Sequence, residues 1–437
     1  MAVSLFSPPR VDRSADAWET RSLRSLLTPR SERDRPDLPL LTVARERGVF
    51  VRADEDANHN AIPDDLSNYK VARSGDLVIN KMKAWQGSLG LAPVDGIVSP
   101  AYFVFEADFE VPRFGEYLLR SKPYVAKFGA ASDGVRIGQW DLDISRMRNI
   151  EVSLPQADEQ AAIVKYLAHA NARIDKAISA KRGLIALLEE RKQAVTAETF
   201  RNLDAPSREL RHVLHRIVDC EHKTAPYVEG GEFWILRTSS VKRGEIDWSG
   251  AYTTGASSYK AWTQRAVPDP GDVIFTREAP VGEAAVIPPG RKVALGQRTV
   301  LMKLRNEIMC PQFLVHQIYG GLPRERIALA TQGSTVGHFN MDDIGWMRVA
   351  VPELDVQRRV VAQIEEVRRN SDEAARKARN EMILLQEFRA RLVADVVTGQ
   401  VDVRAIAASL PDGLDQYVDL DFMLDDDVAD VLGEGEE

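Results

Sequence analysis

The stretch LPQADEQAAIVKYLAHANARIDKAISAKRGLIALLEERKQAVTAETF, residues 154–200, decides the fold. After Pro155 it holds no proline and a single glycine, Gly183. Its apolar residues Ile163, Leu167, Ala170, Ile174, Ile178, Ile185, Leu188 and Val195 recur at steps of three, four and seven, the mark of a helix with a narrow seam. A second stretch, from Glu353 to about Val397, keeps Val360, Ile364, Val367, Ala374, Ala378, Leu385, Phe388 and Leu392 on one stripe. Each segment is about 40 residues and would reach about 60 Å, where an ordinary globular helix has about 11–12 residues. Both start just after a proline, which suits a helix entry. The glycine of VTGQV, from Val397, stops the second. A seam of this length is unstable alone and needs a partner helix; the nearest candidate is the other copy. The plainer reading is that the pair only stabilises a two-domain protein.

The seam repeats because much of the chain repeats. Leu154-Pro155-x-x-Asp158-x-Gln160 matches Val351-Pro352-x-x-Asp355-x-Gln357 at an offset of 197. Thr42 and Gly48 match Thr238 and Gly244, and Gly75-Asp76 matches Gly271-Asp272, all at 196. LRSLL from Leu23 echoes LRHVL from Leu210 at 187, which implies an insertion between. The period is too long for a solenoid or propeller, so two large domains are expected. In each, the first ~130 residues carry short β-type runs punctuated by glycine and proline. GDLVINKMKAWQGSLGLAPVDGIVSP from Gly75 and GDVIFTREAPVGEAAVIPPG from Gly271 share a frame but not their loop contents.

Length and composition agree. The 437 residues exceed one ordinary domain, and 44% hydrophobic with 28% charged residues is a soluble globular composition. No run of about 18 apolar residues is present, so no membrane span is expected. The N-terminus shows no secretory signal, and two cysteines, Cys220 and Cys310, fit a reducing cytoplasm. The net charge of −8 is unevenly spread: from Ala405 onward there are eleven acidic and no basic residues. Without them 57 basic residues face 54 acidic ones, so local patches must decide the partner's sign.

With the order of these elements in view, the chain resembles the specificity subunit of type I restriction–modification systems, from about Ser22 to Arg404. The resemblance is carried by the Leu-Pro-x-x-Asp-Glu-Gln stretch at 154–160 and its copy at Val351–Gln357. It is carried too by Leu187-Leu188-Glu189-Glu190-Arg191 with its copy Leu384-Leu385-Gln386-Glu387, by VTGQVDVR from Val397, and by NKMKAWQGSLG with VSPAYFVF. The second copy has Asp355-Val356-Gln357 where the family often has an acidic residue before the Gln.

The resemblance implies an α+β protein: two β-rich target-recognition domains separated by two long antiparallel coiled-coil helices, with a pseudo-two-fold internal duplication. The expected boundaries are 1–155 for the first recognition domain, 156–200 for the first spacer helix, 201–352 for the second domain and 353–400 for the second helix; outside the resemblance, the composition of 401–437 reads as an acidic, disordered tail. Each domain would read one half of a split double-stranded DNA target, and the helices would fix the gap. The subunit would be non-catalytic. It would seat two DNA adenine methyltransferase subunits and, through them, restriction/translocase subunits. S-adenosylmethionine, ATP and Mg²⁺ would belong to those partners, and no cofactor to this chain. Because the two domains differ strongly, an asymmetric target is expected.

Reading a duplex needs cations at phosphates and donors in a groove. In the first domain Lys81 and Lys83 flank Met82 and, on a strand, would share a face. Trp85 and Gln86 follow, Trp85 as either a core or a base-stacking aromatic. DGVRIGQW places Arg136 and Gln139 in a glycine-flanked loop, where Arg suits guanine and Gln adenine, or either caps a turn. In the second domain DCEHKTAPY holds His222, Lys223, Thr224 and Tyr227. Its Cys-x-His pair lacks a second ligand pair, so no metal site is expected. Arg277, Gln297, Arg298, Thr335 and His338 complete the candidates, against the alternative that such arginines are solvated or salt-bridged. Arg173, Lys176, Lys181, Arg182 and Arg191 on the first helix read as solvated flanks, to which the resemblance adds methyltransferase docking.

No phosphate-binding Gly-x-x-x-x-Gly-Lys-Ser/Thr loop, dinucleotide fingerprint, Asn/Asp-Pro-Pro-Tyr/Phe or His-Glu-x-x-His motif occurs, which argues against an enzyme. The rival reading outside DNA recognition is a coiled-coil scaffold or adaptor.

Overall fold

The computed structural model describes residues 18–45, 47–52, 65–134, 140–331 and 339–412. Two long helices, Ala157–Arg201 (α1) and Leu354–Val397 (α2), run for 45 and 44 residues, close to the expected spans. The chain divides into two compact units, one within Met1–Ala180 and Asn380–Glu437, the other Lys181–Arg379. Each unit therefore joins a β-rich part to a portion of each helix. No described helix is long and apolar enough to cross a membrane.

In the first unit a four-stranded antiparallel sheet has the order Leu27–Pro29, Tyr102–Ala107, Leu77–Asn80, Leu89–Leu91. Its apolar face, with Leu77, Ile79 and Phe105, packs with Phe114 and Phe128 of two short helices. The same core takes Tyr166, Leu167 and Ala170 from the start of α1 and Leu392, Val396 and Val397 from the end of α2. The start of one helix thus lies against the end of the other, and Asp175 pairs with Arg389 across them. The helices run antiparallel.

The second unit repeats this plan. Its four-stranded sheet has the order Leu214–Asp219, Thr299–Leu304, Val273–Thr276, Ala284–Val286, again antiparallel throughout. Phe200 from the end of α1 joins Val360 and Ile364 from the start of α2 in its core, and Lys192 bonds Asp372 at 2.7 Å. A further sheet, Tyr252–Thr254, Phe233–Leu236 and Val293–Leu295, flanks it.

The matched motifs hold equivalent joints. Gln160 and Gln357 are buried. The carbonyl oxygen of Gln160 accepts from the Val111 N–H at 3.3 Å, and its amide donates to the Pro155 carbonyl at 2.8 Å. Gln357 accepts from the Cys310 N–H at 2.8 Å and donates to the Pro352 carbonyl at 2.8 Å. Val111 and Cys310 each precede the proline that opens a short helix, Pro112–Arg120 or Pro311–Gly320. One side chain thereby ties a long helix, the strand before it and a short helix. Val356, which stands where an acidic residue was expected, packs against the second unit's core.

Gly75 and Gly271 adopt φ of 87° and 94°, a left-handed turn that glycine enters without strain. The next carboxylate closes each turn: Asp76 accepts from the Arg73 N–H and Asp272 from the Asp269 N–H, both at 2.8 Å. Different cations balance them, Arg30 at 2.6 Å and Lys303 at 2.7 Å.

Gly399, at φ 75°, ends α2 as expected, its N–H bonded to Val396 O at 3.1 Å and that of Gln400 to Asp395 O at 2.9 Å. The expected disordered tail 401–437 needs correction at its start. Val401, Val403, Ile406 and Ala407 are buried in the first unit's core, and Arg404–Ser409 is a short helix. Lys165 holds Asp412 at 2.5 Å. His169 of α1 also lies 3.0 Å from the Pro411 carbonyl, so folding runs on to 412; residues 413–437 lie outside the described residues.

Candidate nucleic-acid interface

In the first unit the central strand stops at Asn80, whose side-chain oxygen accepts from the Met82 N–H at 3.1 Å. The chain turns there, so Lys81 and Lys83 do not share a strand face. Lys81 donates to Asp141 at 2.9 Å, and its carbonyl accepts from the Leu142 N–H at 2.9 Å. Lys83 is exposed, with no side-chain partner among the described residues. Trp85 is half-buried 5.3 Å from Trp140, and its indole N–H bonds Met82 O at 3.1 Å, which favours the packing role over a stacking platform. Gln86 is half-buried in the short turn Ala84–Gln86. Arg136 and Gln139 lie outside the described residues.

Two cations that were not singled out in the sequence lie side by side, one of them within electrostatic reach of Lys81. Arg33 pairs in register with Lys70. Lys70 donates to the Tyr102 carbonyl at 2.5 Å and sits 5.7 Å from the Phe103 ring centre. Burial holds the Lys70 pKa below its ordinary value, and the positive charges of Arg33 and Lys81 lower it further. Crowded cations of this kind gain from a polyanion, since each like-charge repulsion is relieved by a phosphate. Nothing local marks the group, because it is assembled across strands far apart in sequence.

In the second unit the structure gathers several candidates at one end of the sheet. His222 is exposed, its Nε2 3.1 Å from Asp219 Oδ2, and Lys223 and Thr224 beside it are exposed as well. Gln297 donates to the His222 carbonyl at 3.2 Å. Arg298, at φ 64°, reaches Glu278 at 3.2 Å with its side chain 55% exposed. Tyr227 is exposed, its ring 6.4 Å from that of Tyr252.

Arg277 departs from expectation. It is buried, donating to Asp219 at 2.8 Å and to the Phe339 carbonyl at 2.9 Å, so those donors face inward and not a ligand. The pairing was hidden because Asp219 lies 58 residues away. Thr335 and His338 lie outside the described residues. A cationic aromatic surface was missed: Arg291 lies 4.5 Å from the Trp234 ring centre and 4.1 Å from that of Trp248. Such a surface suits an unsaturated, electron-rich ligand or a backbone phosphate.

Cys220 is buried and Cys310 half-buried, both as free thiols. Among the described residues no group of three or more His, Cys, Asp or Glu is arranged to hold a metal.

No protein-family model and no curated protein matches the chain. Solved structures do. A chain described under "Structural basis underlying complex assembly and conformational transition of the type I R-M system" has a TM-score of 0.64 at 19% identity, covering 90% of this chain and 100% of that one. The HsdS subunit from Thermoanaerobacter tengcongensis gives 0.50 at 18% identity, covering 88% and 98%. At such identity the likeness is one of fold. The chain has the fold of a type I restriction–modification specificity subunit.

Proposed function

We propose that the chain is the DNA-specificity subunit of a type I restriction–modification complex. Each unit reads one half of an asymmetric, two-part duplex target, and the helices set the distance between the halves. The observation that carries this reading is the duplicated frame with unlike loops. The same strand order, the same Gly-Asp turn and the same glutamine joint recur. The residues at the end of that frame differ: Lys81 with Asp141 in one unit, Arg277 with Asp219 in the other. A shared frame keeps two cores folded while unlike loops meet unlike bases. The exposed Lys83 and the Arg33–Lys70–Lys81 group suit phosphates, and His222, Gln297 and Arg298 suit base edges or phosphates.

The chemistry is assigned to partners. Two DNA adenine methyltransferase subunits would dock along the helices and use S-adenosylmethionine. Restriction/translocase subunits, with ATP and Mg²⁺, would join through them in the cytoplasm. Exposed Leu184 and Leu187 of α1 and Leu384 of α2 are apolar groups available on those helices.

The test is to express the chain with its methyltransferase and map methylated adenines over a whole genome. One split, non-palindromic motif is the expected result. A continuous or palindromic motif would reject the two-reader scheme. Uniformly weak binding to all duplexes would favour the scaffold reading.

A further inference from the structure

The end of the central strand is finished by one shared backbone bond and by different side-chain clasps. In the first unit the Leu142 N–H donates to the carbonyl of Lys81, and in the second the Phe339 N–H donates to the carbonyl of Arg277, at 2.9 and 3.1 Å. These residues are equivalent in the repeat, so the junction belongs to the frame. The side chains on it do not. Lys81 reaches forward to Asp141, an exposed partner. Arg277 turns inward to Asp219, with side chains only 10% and 24% exposed.

Asp219 and Arg277 together reach four loop segments. One carboxylate oxygen of Asp219 takes Arg277 at 2.8 Å, and the other lies 3.1 Å from His222. Arg277 adds a bond to the Phe339 carbonyl at 2.9 Å, and its own N–H donates to the Arg298 carbonyl at 2.8 Å. Gln297 closes the ring by bonding the His222 carbonyl at 3.2 Å. The exposed side chains of His222 and Arg298 and the half-buried one of Gln297 are therefore all linked to the two residues of one partly buried ion pair. An ion pair so placed adds little net stability, because desolvation offsets its attraction; what it supplies is a fixed geometry. The planar guanidinium is suited to this, since it offers several donors in fixed directions.

We propose that Asp219 and Arg277 are positioning residues for target choice in the second unit: they touch no base but fix the loops that do. This rests on the DNA-specificity reading and names how one half of it is set. The surface side chains would then be read through the pair, and loosening the pair would blur one half-site only.

The test uses the chain in complex with its methyltransferase, on duplexes carrying the mapped target and single-base changes in each half. Arg277→Lys keeps the charge but loses the fork; Asp219→Asn keeps the shape but loses the charge. Each is expected to lower discrimination by about tenfold in one half-site, the same half for both variants, with the other half unchanged. Equal loss in both halves would mark a merely structural role and overturn the proposal, as would unchanged discrimination in variants that melt like the wild type. Failure of both variants to fold would also overturn it, since positioning must be separable from stability. If the wild-type complex methylates no defined target, the functional reading itself falls, a result distinct from any of these.

Discussion

At Gln160 and Gln357 one neutral amide satisfies backbone groups from two other segments, in a place where water does not reach. Replacing either by alanine leaves a donor and an acceptor buried and unpaired, at about 1–3 kcal/mol for each group. Gln160→Ala and Gln357→Ala should each lower stability to chemical denaturation by about 2 kcal/mol or more, and a loss below about 0.5 kcal/mol would show the joint to be dispensable. The two lysines call for a different measurement. Lys83 is exposed, whereas the ammonium of Lys81 is already held by Asp141. If phosphates are the ligand, Lys83→Ala should flatten the salt dependence of DNA binding by about one unit, and Lys81→Ala by less. Equal effects would mean that Lys81 leaves Asp141 on binding; no effect at Lys83 would remove it from the interface.

The long helices were legible because their signal is local and repeated. Ile163, Leu167, Ala170, Ile174 and Ile178 are buried as their spacing required, while Ile185, Leu188 and Val195 are half-buried. The glycine stop at Gly399 was legible for the same reason, since its conformation follows from the lack of a side chain. The loops were not. Alternation implied a strand through Lys81 and Lys83, but the Asn80 side chain bonds Met82 and ends it. Arg277 looked like a surface cation because the sequence cannot show that Asp219 lies beneath it. The folding of 401–412 was masked by the acidic composition that follows. Polar seam contacts escaped as well. Asp175 with Arg389 in one unit and Lys192 with Asp372 in the other are equivalent pairs, each member 197 residues from its counterpart. Exchanging charges should expose them: Arg389→Asp alone destabilises the first unit by placing two carboxylates together, and Asp175→Arg added to it restores most of the loss. A double-mutant cycle should give a coupling of about 1 kcal/mol. A coupling near zero would mean that the apolar seam alone sets the register.

On the scale of the whole chain, duplication explains why two folded units share a frame, and divergence explains why they end in different loops. On the proposed reading the long helices have a task beyond the packing of either unit. Each helix begins in one unit and ends in the other, so a change of length is felt by both. Inserting seven residues into each helix, at matching places near Ala180 and Asn380, adds about 10 Å at 1.5 Å per residue. Seven residues are one heptad, so the seam returns to register and each unit keeps its own packing. A duplex rises about 3.4 Å per base pair, so the gap between the half-sites should widen by about three base pairs while the bases within each half stay the same. Methylation mapping of the lengthened protein reads both quantities at once. An unchanged gap with full activity would mean that something other than the helices sets the distance, and altered half-sites would mean that the insertion had disturbed the readers rather than the spacing.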